Sequence, residues 1–198
     1  MKNIAFIKQH RTDNVRTLAL QASRYPEVDM PFVLEQIQGW QAARCKLPGW
    51  AMEGVLFPPH LSMEQCSSEA TARYKCGIVE RLISAEERRK GMMADLTGGF
   101  GVDFSYMARG FGKAVYVERQ ERLCAVARHN FDCLGVKNAE WFTEMASPIC
   151  VDCRKRWHCF ISIRPAVMSM GARPMPLRTA LLTWQRCQIG SLDGPTSC

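Results

Sequence analysis

The chain is 198 residues long, 47% hydrophobic and 23% charged, with a formal net charge of +7. That balance describes a globular chain of one ordinary domain, or a small domain plus part of another, and excludes a disordered or fibrous one. No apolar run approaches the roughly eighteen residues of a membrane span, and Met1–His10 is too polar for a secretory leader, so a cytoplasmic protein with no membrane partner is expected.

Residues 1–60 read as short helices separated by turns. Asp13 is placed to cap a helix to about Ala22, with Val15, Leu18 and Ala19 on one face. Tyr25 and Pro26 end it. Asp29 followed by Pro31 opens another, along which Phe32, Ile37, Trp40 and Ala43 form an approximate stripe. Residues 46–50 and 57–60 hold prolines and read as connectors. Ser62 and Gln65 stand at capping-box spacing and predict a helix to about Leu82. The charge run Glu86–Lys90 reads as a solvated exit loop.

From Met92 the period changes. Met92–Leu96 is a short apolar strand, Val102–Arg109 a helix, and Lys113–Val117 a second strand closing on Glu118. Leu123–Leu134 is helical again, with Leu123, Val126, Ala127 and Phe131 on one face. Residues 135–138 then turn toward a third strand. Strand, helix, strand, helix in regular order begins a doubly wound parallel sheet. The predicted architecture is α/β: a helical segment over 1–85, the first βαβα part of an incomplete Rossmann-like sheet over 86–140, and an irregular tail over 141–198.

The chemistry concentrates where the first strand meets its helix, at Asp95–Asp103. Gly98, Gly99 and Gly101 lack the Cβ that would hinder positive φ or a close ligand. Backbone N–H groups at the start of the helix would face that ligand. Glu118, ending the next strand seventeen residues after Gly101, is placed to accept both hydroxyls of a ribose. Two cofactor classes compete. A dinucleotide site of an NAD(P)-dependent enzyme wants G-x-G-x-x-G, and Phe104 stands where its third glycine belongs. A pyrophosphate gains nothing from Asp95 and Asp103, whereas the cationic, phosphate-free S-adenosylmethionine suits an acidic rim.

Longer stretches carry a resemblance. Phe6-Ile7 with His10, Leu18–Gln21, Tyr25–Phe32, Lys46–Pro48, Ser62–Lys75, the glycine turn and Tyr116–Gln120 together resemble bacterial class I methyltransferases that carry a helical N-terminal segment and a C-terminal THUMP-like domain. The resemblance covers about residues 4–140. It implies that Asp95, Gly98, Gly99, Gly101 and Glu118 contact the methyl donor, with Thr97, Phe100 and Arg119 beside them. Gln65, Ser67 and Ser68 would line the pocket edge. The family's THUMP-like module implies an RNA substrate by analogy.

That pattern stops after Glu140. Such an enzyme would continue with a third strand, a helix, and an apolar strand ending in Asp-Pro. Residues 141–198 instead hold 7 Lys+Arg against 3 Asp+Glu, half of the ten cysteines, and no helical or strand period. Cys150, Cys153, His158 and Cys159 offer zinc-ligand types, which would suit a zinc-dependent nucleic-acid-binding module. Only four residues separate the two pairs, however, and the second pair is adjacent, so no metal is expected. A reading frame slipped by one nucleotide near Glu140 accounts for more. Back-translated and shifted, the tail can read V-A-L-L-Y-F followed by D-P-A-R-R, the missing buried strand and its motif. The expectation is a truncated methyltransferase, out of frame after residue 140 and inactive, in which no catalytic residue can be assigned.

Overall fold

The computed structural model describes residues 2–143 and the backbone of 161–162 and 183–184. The first half is helical. Helix α1 spans Lys2–His10, α2 Val15–Leu20, α3 Met30–Lys46, α4 His60–Gln65, α5 Glu69–Leu82 and α6 Ala85–Lys90. Three parallel strands follow, β1 Met92–Asp95, β2 Lys113–Val117 and β3 Ala139–Phe142, linked by α7 Val102–Ala108 and α8 Glu121–Leu134. They pair in the order β1-β2-β3, with Asp95 beside Tyr116 and Val117 beside Phe142. This is the doubly wound start that the sequence predicts.

Strands β1 and β2 are buried on both sides, as parallel strands usually are, whereas β3 alternates half-buried and exposed residues. Met93, Ala114 and Tyr116 face one way, onto Phe104 and Met107 of α7 and Ala127 and Phe131 of α8. Ala94, Val115 and Val117 form a separate cluster. The third strand is in place through Phe142, two residues past Glu140. Ile161–Ser162 pairs antiparallel with Thr183–Trp184 and lies beside β1. The cysteine and histidine positions of the zinc-like pattern, and the shifted motif, lie outside the described residues. Among the described residues no group of three or more His, Cys, Asp or Glu is arranged to hold a metal, and no helix is long and apolar enough to cross a membrane.

Local caps differ from the sequence expectations in three places. Asn14, not Asp13, caps α2, its Oδ1 accepting from the N–H groups of Arg16 and Thr17. Asp13 instead pairs with His10. The helix predicted from Ser62 to Leu82 is two helices, broken at Cys66-Ser67-Ser68. Lys46 ends the first by donating to the carbonyls of Met63 and Glu64, each at 2.7 Å. Ser68 starts the second by accepting from Thr71 N. The capping box belongs to Ser84 and Glu87, so the charge run is helix α6 and not a loop.

The helical half and the sheet share their core. Ala43, Leu47, Trp50, Phe57, Met63 and Ala72 pack in one cluster with Phe100, Val102 and Leu123. The segment around residues 55–57 is held from both sides by side-chain amides acting as strand partners. Gln36 of α3 bonds both the N–H and the C=O of Phe57 at 2.8 and 2.9 Å. Asn130 of α8 does the same for Leu56, both at 2.8 Å.

Glu69, at the start of α5, adds a charged tie. Its Oε2 accepts from Gly49 N at 2.7 Å, Oε1 accepts from Arg73 Nε and Nη2, and the Tyr106 hydroxyl of α7 also bonds the carboxylate. Burial would raise this carboxyl's pKa, yet these donors outweigh it and hold it below the usual value. Replacing Glu69 with glutamine should lower unfolding stability at neutral pH by about 1.5–3 kcal/mol, the range for losing charge-assisted hydrogen bonds. The advantage of the wild type exists above the ordinary glutamate pKa and disappears as pH falls through the depressed one. Urea midpoints that coincide for the two proteins at pH 7 would show that this tie contributes nothing.

Candidate functional site

The turn from β1 into α7 folds as it does for reasons internal to the chain. Gly99 and Gly101 have φ of +58° and +85°, where side chains with a Cβ are strained. A Cβ on Gly98 would lie 2.0 Å from the Tyr116 ring, and one on Gly101 would lie 2.7 Å from Phe131. These two glycines make room for the protein's own aromatic core, in which Tyr116, Phe104 and Phe131 meet edge-on or tilted at 5.0–5.4 Å. At Gly99 the nearest atom to an added Cβ is the Thr97 carbonyl at 3.8 Å. Of the three glycines in the turn, Gly99 is thus the one with open space on its Cβ side. Gly98→Ala should therefore lose about 1–3 kcal/mol from overpacking against Tyr116. Its urea midpoint should fall clearly below that of wild type, and an unchanged midpoint would refute the steric account.

The N–H groups of the turn from Thr97 to Gly99, and that of Gly101 at the helix start, are spent within the protein. Gly98 N donates to the Val117 carbonyl at 2.9 Å and Gly101 N to the Gly98 carbonyl at 2.8 Å. Thr97 N donates to Asp95 Oδ1, and Gly99 N to Glu118 Oε2 at 3.0 Å. A pyrophosphate would find these four already engaged.

Acidic groups dominate instead. Asp95 is 2% exposed, and burial pushes its carboxyl up to about 7 against the hydrogen bond from Thr97 N, with the charges of Asp103 and Glu118 adding to the rise. Glu118 is 8% exposed, and its Oε1 accepts from Gln120 N at 2.9 Å. Each of its oxygens thus carries one protein hydrogen bond among the described residues and retains a lone pair. The Tyr116 hydroxyl donates to the Gly99 carbonyl and pins the turn to β2. Burial raises that phenol's pKa, with help from Glu118 and Asp95, so it stays protonated. Asp103 follows the turn, where Oδ2 accepts from Lys75 Nζ at 2.7 Å and Ser67 Oγ at 2.8 Å.

The predicted residues therefore divide. Asp95, Thr97, Gly98, Gly99, Gly101 and Glu118 meet in one place. The Phe100 side chain points away into Trp50 and Phe57, at ring distances of 4.8 and 6.5 Å, so only its backbone lines the turn. Arg119 is exposed. Of the pocket-edge candidates, Ser67 reaches Asp103, Ser68 caps its own helix, and Gln65 is exposed at the end of α4. Lys75 and Tyr116 were not singled out as site residues by sequence reasoning. Lys75 meets Asp103 across 28 positions of chain, a pairing that no local pattern records.

No family model matches the chain, and no curated protein does. Solved structures do. The chain aligns to a candidate methyltransferase from Porphyromonas gingivalis W83 with a TM-score of 0.60 and 25% identity, over 78% of this chain and 37% of that one. A SAM-dependent methyltransferase from Agrobacterium tumefaciens aligns at 0.38 and 16% identity, over 47% and 30% of the two chains. A candidate methyltransferase from Streptococcus mutans in complex with SAH aligns at 0.31 and 19%, over 34% and 42%. The first likeness gives the fold: a methyltransferase-like α/β domain of which this chain spans little more than a third of the solved structure's length.

Proposed function

We propose that residues 86–143 form the adenosyl half of an S-adenosylmethionine site, and that the intact parent protein transfers the methyl group to an RNA acceptor. The single observation that carries this reading is the Glu118 carboxylate bonded to Gly99 N at 3.0 Å, at the open glycine of the turn. It sits in one electrostatic neighbourhood with Asp95 and Asp103. Three carboxylates and one lysine suit a cation that carries no phosphate.

When bound, the cofactor supplies a methyl group made electrophilic by its sulfonium. The chain's part is to bind and orient. Glu118 has lone pairs left for the two ribose hydroxyls, and Tyr116 holds the turn against β2 by its bond to Gly99. Asp95 and Asp103 provide negative charge beside the cation. Orientation of donor and acceptor would then do most of the work, as in other proximity-driven transfers.

The acceptor side is absent from the described residues. RNA is supported by the sequence resemblance to methyltransferases with a THUMP-like module, a fold-level warrant. The composition of residues 141–198 and their shifted reading support a chain out of frame after residue 140, which would bind the donor without turnover. Calorimetry of the full chain should show S-adenosylmethionine and S-adenosylhomocysteine binding and no binding of NAD or NADP. Nicotinamide binding without donor binding would overturn the reading. Turnover of labelled donor by the 198-residue chain would overturn its inactivity.

A further inference from the structure

Ser67, Lys75 and Asp103 come from the connector between α4 and α5, from α5, and from the residue pair that opens α7. They form a closed triangle of hydrogen bonds. Lys75 Nζ donates to Asp103 Oδ2 at 2.7 Å and to Ser67 Oγ at 3.0 Å, and Ser67 Oγ donates to the same Oδ2 at 2.8 Å. Lys75 and Asp103 are only 17% and 14% exposed at their side chains. A tie between α5 and α7 would explain such a pair, but that tie already exists in Glu69, Arg73 and Tyr106. There both carboxylate oxygens are satisfied.

The triangle is different because it is half used. Asp103 Oδ1 is sealed from water and has no hydrogen-bond partner among the described residues. An unpaired buried carboxylate oxygen is costly, and native structures retain few. The Lys75 ammonium has three donors, of which two are engaged among the described residues. A spare acceptor and a spare donor therefore stand side by side, next to the glycine turn. Asp95 senses the charges of Asp103, Lys75 and Glu118 together. This arrangement complements a zwitterion. Oδ1 is closed off in this arrangement, so a ligand ammonium reaches the carboxylate only as the side chain turns and Lys75 and Ser67 exchange their bonds from Oδ2.

We propose that Asp103 holds the ammonium, and Lys75 the carboxylate, of the amino-acid end of the cofactor, with Ser67, whose one O–H is given to Asp103, positioning both side chains. The proposal rests on the methyl-donor reading above. It places the ribose at Glu118, on one side of the turn, and the amino-acid end at the Ser67 connector on the other. The helical segment thereby becomes part of the cofactor site.

The test compares two ligands by calorimetry on the full chain. S-Adenosylhomocysteine carries the amino-acid end, and 5′-methylthioadenosine has the same nucleoside without it. Lys75→Met and Asp103→Asn should each weaken S-adenosylhomocysteine about tenfold or more, the scale of one charge-assisted hydrogen bond. Binding of 5′-methylthioadenosine should stay within about twofold of wild type, a split that loss of packing alone would not produce. Equal weakening of both ligands in both variants, or weakening of neither, overturns the proposal while leaving the donor reading intact. A wild-type chain that binds neither ligand overturns both.

Discussion

Replacing Glu118 with alanine should weaken binding of S-adenosylmethionine, S-adenosylhomocysteine and 5′-methylthioadenosine alike, by roughly 10- to 100-fold. Each charge-assisted hydrogen bond to a carboxylate contributes about 1.5–3 kcal/mol, and two ribose hydroxyls are involved. Two such bonds lost outright would exceed about 100-fold, and water that replaces part of the lost contact brings the expected effect down to this range. Glu118 also accepts from Gly99 N and Gln120 N, so the alanine variant leaves two backbone donors without their acceptor. Glutamine separates the effects, because its one amide oxygen can keep one of those bonds and removes the charge. Calorimetry at fixed pH, with circular dichroism to follow the fold, is the measurement. The pattern across ligands is diagnostic: loss of the ribose contact reaches all three, whereas loss at Lys75 should spare the one without an amino-acid end. Unchanged affinity in a folded Glu118→Ala protein would place the ribose elsewhere.

The strands and the turn were legible because their signals are local. The change from a helical to a short apolar period at Met92, three glycines within four positions, and an acid at the end of the next strand all lie within about thirty residues of sequence. The structure puts them where that pattern says. The glycines' reasons were only partly legible. Gly98 and Gly101 answer to Tyr116 and Phe131, and a ring packed from another element leaves no trace in the spacing of the turn itself.

The helical half shows the opposite case. Ser62 and Gln65 satisfy a capping-box pattern that the chain does not use, since α4 begins at His60 and stops at Gln65. The break that follows is set by tertiary contacts: Lys46 caps the carbonyls of α4 from a distance of seventeen positions, and Ser67 bonds Asp103 from thirty-six. Propensity within a window cannot weigh either contact. A true capping box stood further on at Ser84 and Glu87, obscured because the five charges after Ala85 resemble a solvated loop. The same long-range character explains why Lys75 was missed. Its role depends on a partner supplied by the sheet.

Asp95→Asn should stabilise the protein above about pH 7 and weaken it as a binder of a cation. The Asp95 carboxyl is held up to about 7 in the folded chain against an ordinary value of 3.8, chiefly by burial. Well below pH 3.8 both states carry the proton, and the raised pKa costs nothing. Between the two values the unfolded chain ionises while the folded one keeps its proton. The folded state then binds more protons, so stability falls as pH rises. The slope approaches 1.36 kcal/mol per pH unit, and the full loss is on the order of 4 kcal/mol by pH 8, flat beyond. Asparagine removes this dependence. Glu69 acts in the opposite direction and titrates lower, so the difference between wild type and Asp95→Asn isolates the Asp95 contribution. Urea unfolding from pH 4 to 8 should give difference curves that diverge steadily up to neutrality, and parallel curves would show that Asp95 ionises at its ordinary value. The carboxyl that weakens the fold at neutral pH is also the charge beside a bound cation. Binding of S-adenosylmethionine near pH 6 should draw Asp95 toward its ionised form and release a proton, visible as binding enthalpies that vary with the buffer's ionisation enthalpy. In Asp95→Asn that buffer dependence should disappear. A stable fold and a receptive site therefore make opposing demands on one buried proton.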